Sequence, residues 1–514
     1  METPVALEHC PKHGAKGSLC TSWSPATPVE LAASALVSST TVGAIVHVLL
    51  YSEQGDGVEL SSPQREDSIV ARLDSDGMEK IAVDEFYPAH VPGQRRYFAT
   101  IWITQPGKFE FHAVLRAIAF PVHVSDILDG TVPDFSLIEA TDKARRWEDF
   151  DTVSLVVTGT PLDPSELPSC GASGTTEGPK GRVLRPCPPG KLCQACPAAV
   201  CRGSLDFVFD AARDAKSDKS RHLIFVPYGC IPPMADESML KRALQDTAWM
   251  FQTESHGLYK SRFISHLLGD ERVPQSLPKA LIKIKEYEFF DQTRNVMMSS
   301  IWVGGEHSTN GGGIQTAFKP SILERRGQLL GDMERRGFTR DRRGVVLNAG
   351  SHDLNGFGIE SPNFTWLNLS AKEFFGKFRQ AMREWIVREA RDAASIVIWS
   401  NEFLGSFPKP APLDQHDVYN GPYVQSLMRQ LTRQAVALAL EDVAADSTIG
   451  HITLELVDSK PMAINGYAFA SVERGHVSRL DFHGHSGYSG HYGRAEAISL
   501  LARMAGMRKT NMYM

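Results

Sequence analysis

Ser255 follows an apolar run, Trp249-Met250-Phe251-Gln252-Thr253-Glu254, and leads through His256 into a segment with helical spacing. A strand that stops at a serine and turns into a helix holds a nucleophile at the edge of a sheet, with the helix's first N–H groups and dipole behind it. Such a serine needs a base to remove its proton and donors to hold the oxyanion. Asp481-Phe482-His483-Gly484-His485, just before the last helical stretch, carries an acid and two bases, the residue types of a Ser/His/Asp set. Taken locally, an N-cap serine at a strand–helix junction is the simpler reading of Ser255, so the functional reading rests on the pairing.

Other segments carry weaker signals. Asn348-Ala349-Gly350-Ser351-His352-Asp353 follows the apolar run Val345–Leu347. Polar groups after a glycine at a strand end can set a side chain and a backbone N–H over a neighbouring site, and the same residue types are ordinary in turns. Asn348, Gly350 and His352 are therefore candidate oxyanion or site-lining residues. Ile301-Trp302-Val303-Gly304-Gly305-Glu306-His307-Ser308 is a second strand-to-serine turn, which makes Ser308 the alternative nucleophile and Gly304 a further lining residue. The following Asn310-Gly311-Gly312-Gly313 is no phosphate loop, because no Gly-Lys-Ser/Thr comes after it; it reads as a flexible loop at the site mouth. Asp414 and His416 form a further pair inside a proline-rich loop. Histidines clustered with Asp481 and followed by His491 also fit a metal, whereas the serine reading requires no metal and no organic cofactor.

These residues need elements to position them. The chain of 514 residues is too long for one core, so two or three domains are expected. A hydrophobic content of 42% with 22% charged residues is that of a soluble globular protein. The net charge of −6 and the lack of a Lys/Arg cluster give no reason for a nucleic-acid partner. No apolar run is long enough to cross a membrane, and Met1-Glu2-Thr3-Pro4 does not open a signal peptide. Cys170, Cys187, Cys193, Cys196, Cys201 and Cys230 lie among prolines and glycines. A segment of that composition builds no core and is expected to be cross-linked by disulfides, with a zinc knuckle as the lesser alternative. Disulfides and the sequons at Asn363 and Asn368 suit a secretory or extracellular setting.

Residues 1–26 lack periodicity and read as a loose leader. Residues 27–123 read as a β-sandwich of short strands: Val42–Tyr51, Ser68–Leu73, Lys80–Asp84, Tyr97–Thr104 and Lys108–Leu115. The last two alternate around Gln105-Pro106-Gly107 and are expected to pair as a hairpin. Residues 124–202 are a connecting and Cys/Pro/Gly-rich segment. From 203 to 514 the pattern becomes α/β. Strands are expected at Leu223–Val226, Trp249–Gln252, Leu281–Phe289, Met297–Val303, Val345–Asn348, Ile396–Trp399 and Ile452–Val457. Helices are expected at 258–268, 371–391, 423–441 and 494–507, that at 371 opened by a capping box from Ser370 to Glu373. Such alternation implies a three-layer domain around a mostly parallel sheet, with its site at the carboxyl ends of strands.

The order of these parts resembles the PC-esterase branch of the GDSL/SGNH hydrolases, and within it the neurexophilin-and-PC-esterase-domain proteins. The resemblance rests on a β-sandwich, a Cys-rich segment, the Ser255 strand end, the Gly350–Asp353 block and the terminal Asp/His loop. It implies an Ig/filamin-like module ahead of an SGNH-like domain. It implies a nucleophile at Ser255, site-lining roles for Gly350 and His352, and a base at His485, with His483 the alternative and Asp481 orienting it. The implied activity is an acyl esterase or O-acetyltransferase working on acylated glycans, in the secretory pathway. Two positions depart from the family pattern. Thr253-Glu254-Ser255 stands where the family has Gly-Asp-Ser, and a Cβ at 253 is expected to crowd the turn. The terminal loop has Asp481-x-His483 in place of Asp-x-x-His. Both departures favour the second reading, an inactive SGNH-like scaffold used for glycan binding or adhesion.

Overall fold

A run of apolar residues flanked by polar turns must bury both of its faces in a parallel sheet or one face in an antiparallel one, and the chain contains sheets of both kinds. The computed structural model describes residues 18–24, 39–41, 45–52, 68–75, 79–83, 87–91, 94–102, 106–117, 124–130, 148–149, 153–160, 181–184, 224–227, 241–270, 286–303, 313–350, 353, 371–400, 422–458, 500–501 and 503–504.

In the N-terminal part the strands fall into two sheets. One runs Ser18–Ser24, Ile45–Ser52, Gln94–Trp102, Tyr87–Val91. The other runs Ile224–Pro227, Gly181–Leu184, Glu79–Val83, Ser68–Ser75, Gly107–Ala117, Val153–Thr158, Ser39–Thr41, with Glu148–Asp149 beside Gly107–Ala117. The expected strands are present within a few residues of their anticipated ends, but the hairpin is not. Gln94–Trp102 pairs with Ile45–Ser52, whereas Gly107–Ala117 pairs with Ser68–Ser75. Trp102 and Gly107 thus lie in different sheets, because alternation on either side of a turn suits a change of sheet as well as a hairpin. Ile224–Pro227, anticipated as part of the α/β region, instead pairs antiparallel with Gly181–Leu184.

The C-terminal part is an α/β unit built on a six-stranded, mostly parallel sheet. Its strands are β1 (Thr247–Thr253), β2 (Glu286–Asp291), β3 (Val296–Trp302), β4 (Arg343–Asn348), β5 (Ser395–Ser400) and β6 (Thr453–Asp458), in the order β2-β3-β1-β4-β5-β6. Only β2 is antiparallel to its neighbour. The helices are α1 (Ser255–Leu267), α2 (Pro320–Arg335), α3 (Ala371–Asp392) and α4 (Pro422–Ala445).

Strand β1 is buried along its whole length. Trp249 and Phe251 pack with Ile264 and Leu268 and with Leu500, Leu501 and Met504, which lie on a C-terminal helical segment. Ala248 and Met250 face the other way, into a core shared with Leu329 of α2, Phe378 and Trp385 of α3, and Leu431 of α4. Each such fully buried large side chain contributes about 1.5–3 kcal/mol. The Trp249 ring lies against β4 at Gly344, where a Cβ would fall 2.4 Å from ring carbons, so only glycine fits there. The stripe expected on α3 is observed: Phe374, Phe378, Met382, Trp385 and Ile386 are all buried.

Helix α2 was not anticipated, since its charged residues obscure a buried stripe of Arg326, Leu329 and Met333. Its ends nonetheless carry signals. Pro320 occupies the first turn, and Gly337 at φ 82° closes the helix. Gly337 N donates to Glu334 O at 2.9 Å and Phe338 N to Met333 O at 3.0 Å, the paired bonds of a Schellman cap. The short helix Val124–Asp129 packs on α3 and α4, with Ile127 in their core and Ser125 Oγ accepting from Gln434 Nε2 at 3.3 Å. Among the described residues no helix is long and apolar enough to cross a membrane.

A buried polar network ties β1 to α2 and α3. Gln252 Oε1 accepts from Trp385 Nε1 at 3.0 Å and from Arg388 Nη2 at 3.1 Å. Arg388 Nη1 donates to Ala317 O at 2.8 Å, and its Nε to Glu389 Oε1 at 2.8 Å. Arg326 holds the same carboxylate through Nε and Nη2, each at 2.9 Å. Burial works against the charge on Arg326, but Glu389 and Asp392 outweigh it and raise its pKa, while burial leaves that of Arg388 lowered. On the outside, Arg383 of α3 forks onto Asp442 of α4 at 2.5 and 2.6 Å. Those hydrogen bonds hold the Asp442 carboxyl below its ordinary value of 3.8.

Two outcomes follow. Arg326→Met leaves Glu389 short of a buried partner and should cost about 3 kcal/mol in denaturant unfolding. Because Asp442 titrates below its unfolded value, its contribution is present above about pH 4 and lost as pH falls through the folded pKa. Arg383→Met should therefore flatten that part of the acid-unfolding profile, followed by circular dichroism.

Candidate active site

The parallel strands of the sheet, numbered in chain order among themselves, lie in the doubly wound order 2-1-3-4-5. After β1 the chain takes α1 over one face; after β3, β4 and β5 it takes α2, α3 and α4 over the other. The connections part between β1 and β4, and the crevice outside the carboxyl ends at such a point is where open α/β sheets bind ligands. Two sequence segments singled out for chemistry meet there, Thr253–Ser255 at the end of β1 and Asn348–Gly350 at the end of β4.

Backbone bonds lock these ends together. Val303 N donates to Thr253 O at 3.0 Å, and Glu254 N to Asn348 O at 3.3 Å, so the ladder extends past β1 on both sides. Leu258 N donates to Glu254 O at 3.1 Å, which makes Glu254 the N-cap position and Ser255 the first residue of α1. The backbone N–H groups of a helix's first turn have no partner within the helix and favour negative charge.

Of the anticipated lining residues, Asn348 is buried and its Nδ2 donates to Trp399 O at 2.8 Å, tying β4 to β5. Gly350 sits at φ 126°, a backbone conformation open to glycine, and its N–H donates to Glu254 Oε1 at 3.1 Å. That N–H is thus engaged by a buried carboxylate, and Gly350 borders the crevice as part of a fixed turn. Asp353, the last residue of the same block, is also buried and accepts from Ile314 N through both oxygens at 3.1 Å. A Cβ on Gly313 would fall 2.3 Å from Asp353 Oδ1, so the end of the glycine-rich run is a close contact with this carboxylate.

The crowding anticipated at Thr253 is resolved by a neighbour. Thr253 lies on the α1 side of β1, and a Cβ at Gly257 would fall 2.4 Å from Thr253 Cβ. The strand end carries a side chain because the helix, four residues on, carries none. Gly257 is not among the residues the sequence reading singles out, and Glu254 has no role of its own there, although the spacing Ser255-x-Gly257 is half of the Gly-x-Ser-x-Gly pattern of a strand-to-helix nucleophile turn.

Asp481, His483, His485, His352, Ser308 and Gly304 lie outside the described residues, as do Asp414 and His416, the cysteines from 170 to 230 and both sequons. Among the described residues no three His, Cys, Asp or Glu side chains gather as a metal site.

No protein-family model matches the chain, and no curated protein matches it. Among solved structures, the chain aligns with the enterochelin esterase of Shigella flexneri at 9% identity, over 85% of this chain and 90% of that one, with a TM-score of 0.20. Two folds superposed at that score are not shown to be alike.

The Thr253–Gly257 contact makes a double-mutant cycle informative. Gly257→Ala alone should destabilise by about 1–3 kcal/mol through overpacking. Adding Thr253→Gly should recover much of that loss, so the two changes should couple strongly rather than add when measured by chemical denaturation.

Proposed function

We propose that the chain is a serine-dependent acyl esterase or O-acetyltransferase acting on acylated glycans, with Ser255 as nucleophile. The observation that carries this reading is the position of Ser255: first residue of the 13-residue helix α1, at the carboxyl end of the central strand, beside the chain-direction switch between β1 and β4. A reacting carbonyl placed there meets the N–H groups of the helix's first turn, which have no partner within the helix and stabilise developing negative charge. The glycan class rests on the resemblance of the sequence blocks to PC-esterases, and so does the assignment of the remaining partners.

In this scheme Ser255 Oγ attacks the acyl carbonyl while His485 takes the hydroxyl proton, with His483 as the alternative base. Asp481 orients the imidazole and stabilises its charged form. The tetrahedral oxyanion is held by N–H groups of the first turn of α1, with His352 and Gly304 lining the site. On collapse, the bond to the sugar oxygen breaks and that oxygen takes the proton from the imidazolium. The acyl-enzyme then passes its group to water or to a second sugar hydroxyl, and the base accepts and returns one proton again. No resident metal or cofactor takes part. Action in the secretory pathway or outside the cell accords with the cysteine-rich segment and the sequons.

Wild-type protein treated with a fluorophosphonate serine probe should be labelled at Ser255, and Ser255→Ala should abolish the labelling. Labelling that persists in the mutant would move the nucleophile, with Ser308 next in line. A folded wild type that takes no label would favour the non-catalytic, glycan-binding scaffold.

A further inference from the structure

We infer that Glu254 is a positioning residue that fixes the Ala349–Gly350 turn relative to Ser255, a role that rests on the serine reading above. Glu254 is fully buried, directly between β1 and α1. Three of its hydrogen bonds go to three different places. Its N–H is bonded to Asn348 O at 3.3 Å, its carbonyl accepts Leu258 N at 3.1 Å, and its Oε1 accepts Gly350 N at 3.1 Å. One residue therefore joins the end of β1, the start of the helix carrying Ser255 and the turn after β4.

The turn depends on this tie. Gly350 holds φ at 126°, and a Cβ there would stand 3.4 Å from Met428 Cε, so the backbone lies close against α4. Without the carboxylate oxygen, a buried N–H loses its acceptor and the turn gains a reason to rearrange. A displacement of about 1 Å among groups around a reacting centre costs on the order of 10²-fold in rate. The bond needs an oxygen at the right reach rather than a charge. Glutamine presents a carbonyl oxygen at the same distance along the side chain, whereas aspartate keeps the charge and is one methylene short.

Full-length wild type, Glu254→Gln, Glu254→Asp and Glu254→Ala are compared by rate of fluorophosphonate labelling at Ser255 across pH, with the labelled residue mapped by mass spectrometry. Hydrogen exchange at the Gly350 amide is followed in parallel, and melting curves establish that each variant is folded. Glu254→Gln should label close to wild type with the same pH profile and keep Gly350 protected. Glu254→Asp and Glu254→Ala should label slower by on the order of 10²-fold, with Gly350 exchanging faster. Equal labelling in all four proteins overturns the inference alone, as does a slow Gln variant beside a fast Asp variant, which would make the charge the working feature. A wild type unlabelled at Ser255, with Gly350 protection still dependent on Glu254, overturns the serine reading and with it the catalytic meaning of the tie.

Discussion

A strand buried on both faces has no water to satisfy its polar groups, and this constraint governs the carboxyl edge of the α/β sheet. After the apolar run Ala248–Phe251 of β1, three polar side chains, Gln252, Thr253 and Glu254, follow in succession. Gln252 is taken up by Trp385 and Arg388, and through them by the Arg326–Glu389 pair. Thr253 rests on the bare face of Gly257. Glu254 closes on the Gly350 amide. Ser255 is the first residue beyond this set, and it opens the helix. Its surroundings are ordered by the polar bonds of Gln252 and Glu254 and by the packing of Thr253, whose buried hydroxyl has no hydrogen-bond partner among the described residues.

The placement of that edge follows from the winding of the chain. Helix α1 covers one face and α2 to α4 the other, so the connections diverge above β1 and β4. Helices diverging from adjacent strand ends leave a crevice floored by backbone rather than by side chains. Its floor here is held by backbone bonds from Thr253 and Glu254 to β3 and β4. A site of this kind derives its geometry from the ladder, which suits chemistry requiring fixed N–H donors.

Much of this was legible beforehand where local signals were strong. The strands of the parallel sheet are built around short apolar stretches, and the α3 stripe repeats at helical spacing, so both are legible within a few residues of their ends. Helix α2 was missed because its buried stripe includes Arg326, an arginine that belongs in the interior only because Glu389 and Asp392 meet it there. The hairpin was misjudged for a related reason. Alternation in Gln94–Trp102 and Gly107–Ala117 specifies which side of each strand is apolar, not which partner it takes, and the two strands joined different sheets. Thr253 looked like an obstruction from the motif alone, since the glycine that accommodates it lies on the other element.

By itself, the sequence determined the α/β alternation, the stop of β1 at a serine and the glycine at the β4 turn, because strand and helix periodicity and glycine's conformational freedom are properties of neighbouring residues. Only the tertiary structure decided that the ends of β1 and β4 lie side by side. Only it decided that Glu254, rather than the solvent, receives the Gly350 N–H, and that Gly257 leaves the space Thr253 fills. Those are contacts between residues brought together by strand order, and strand order is set by how whole helices cover the two faces of the sheet, which no local pattern encodes.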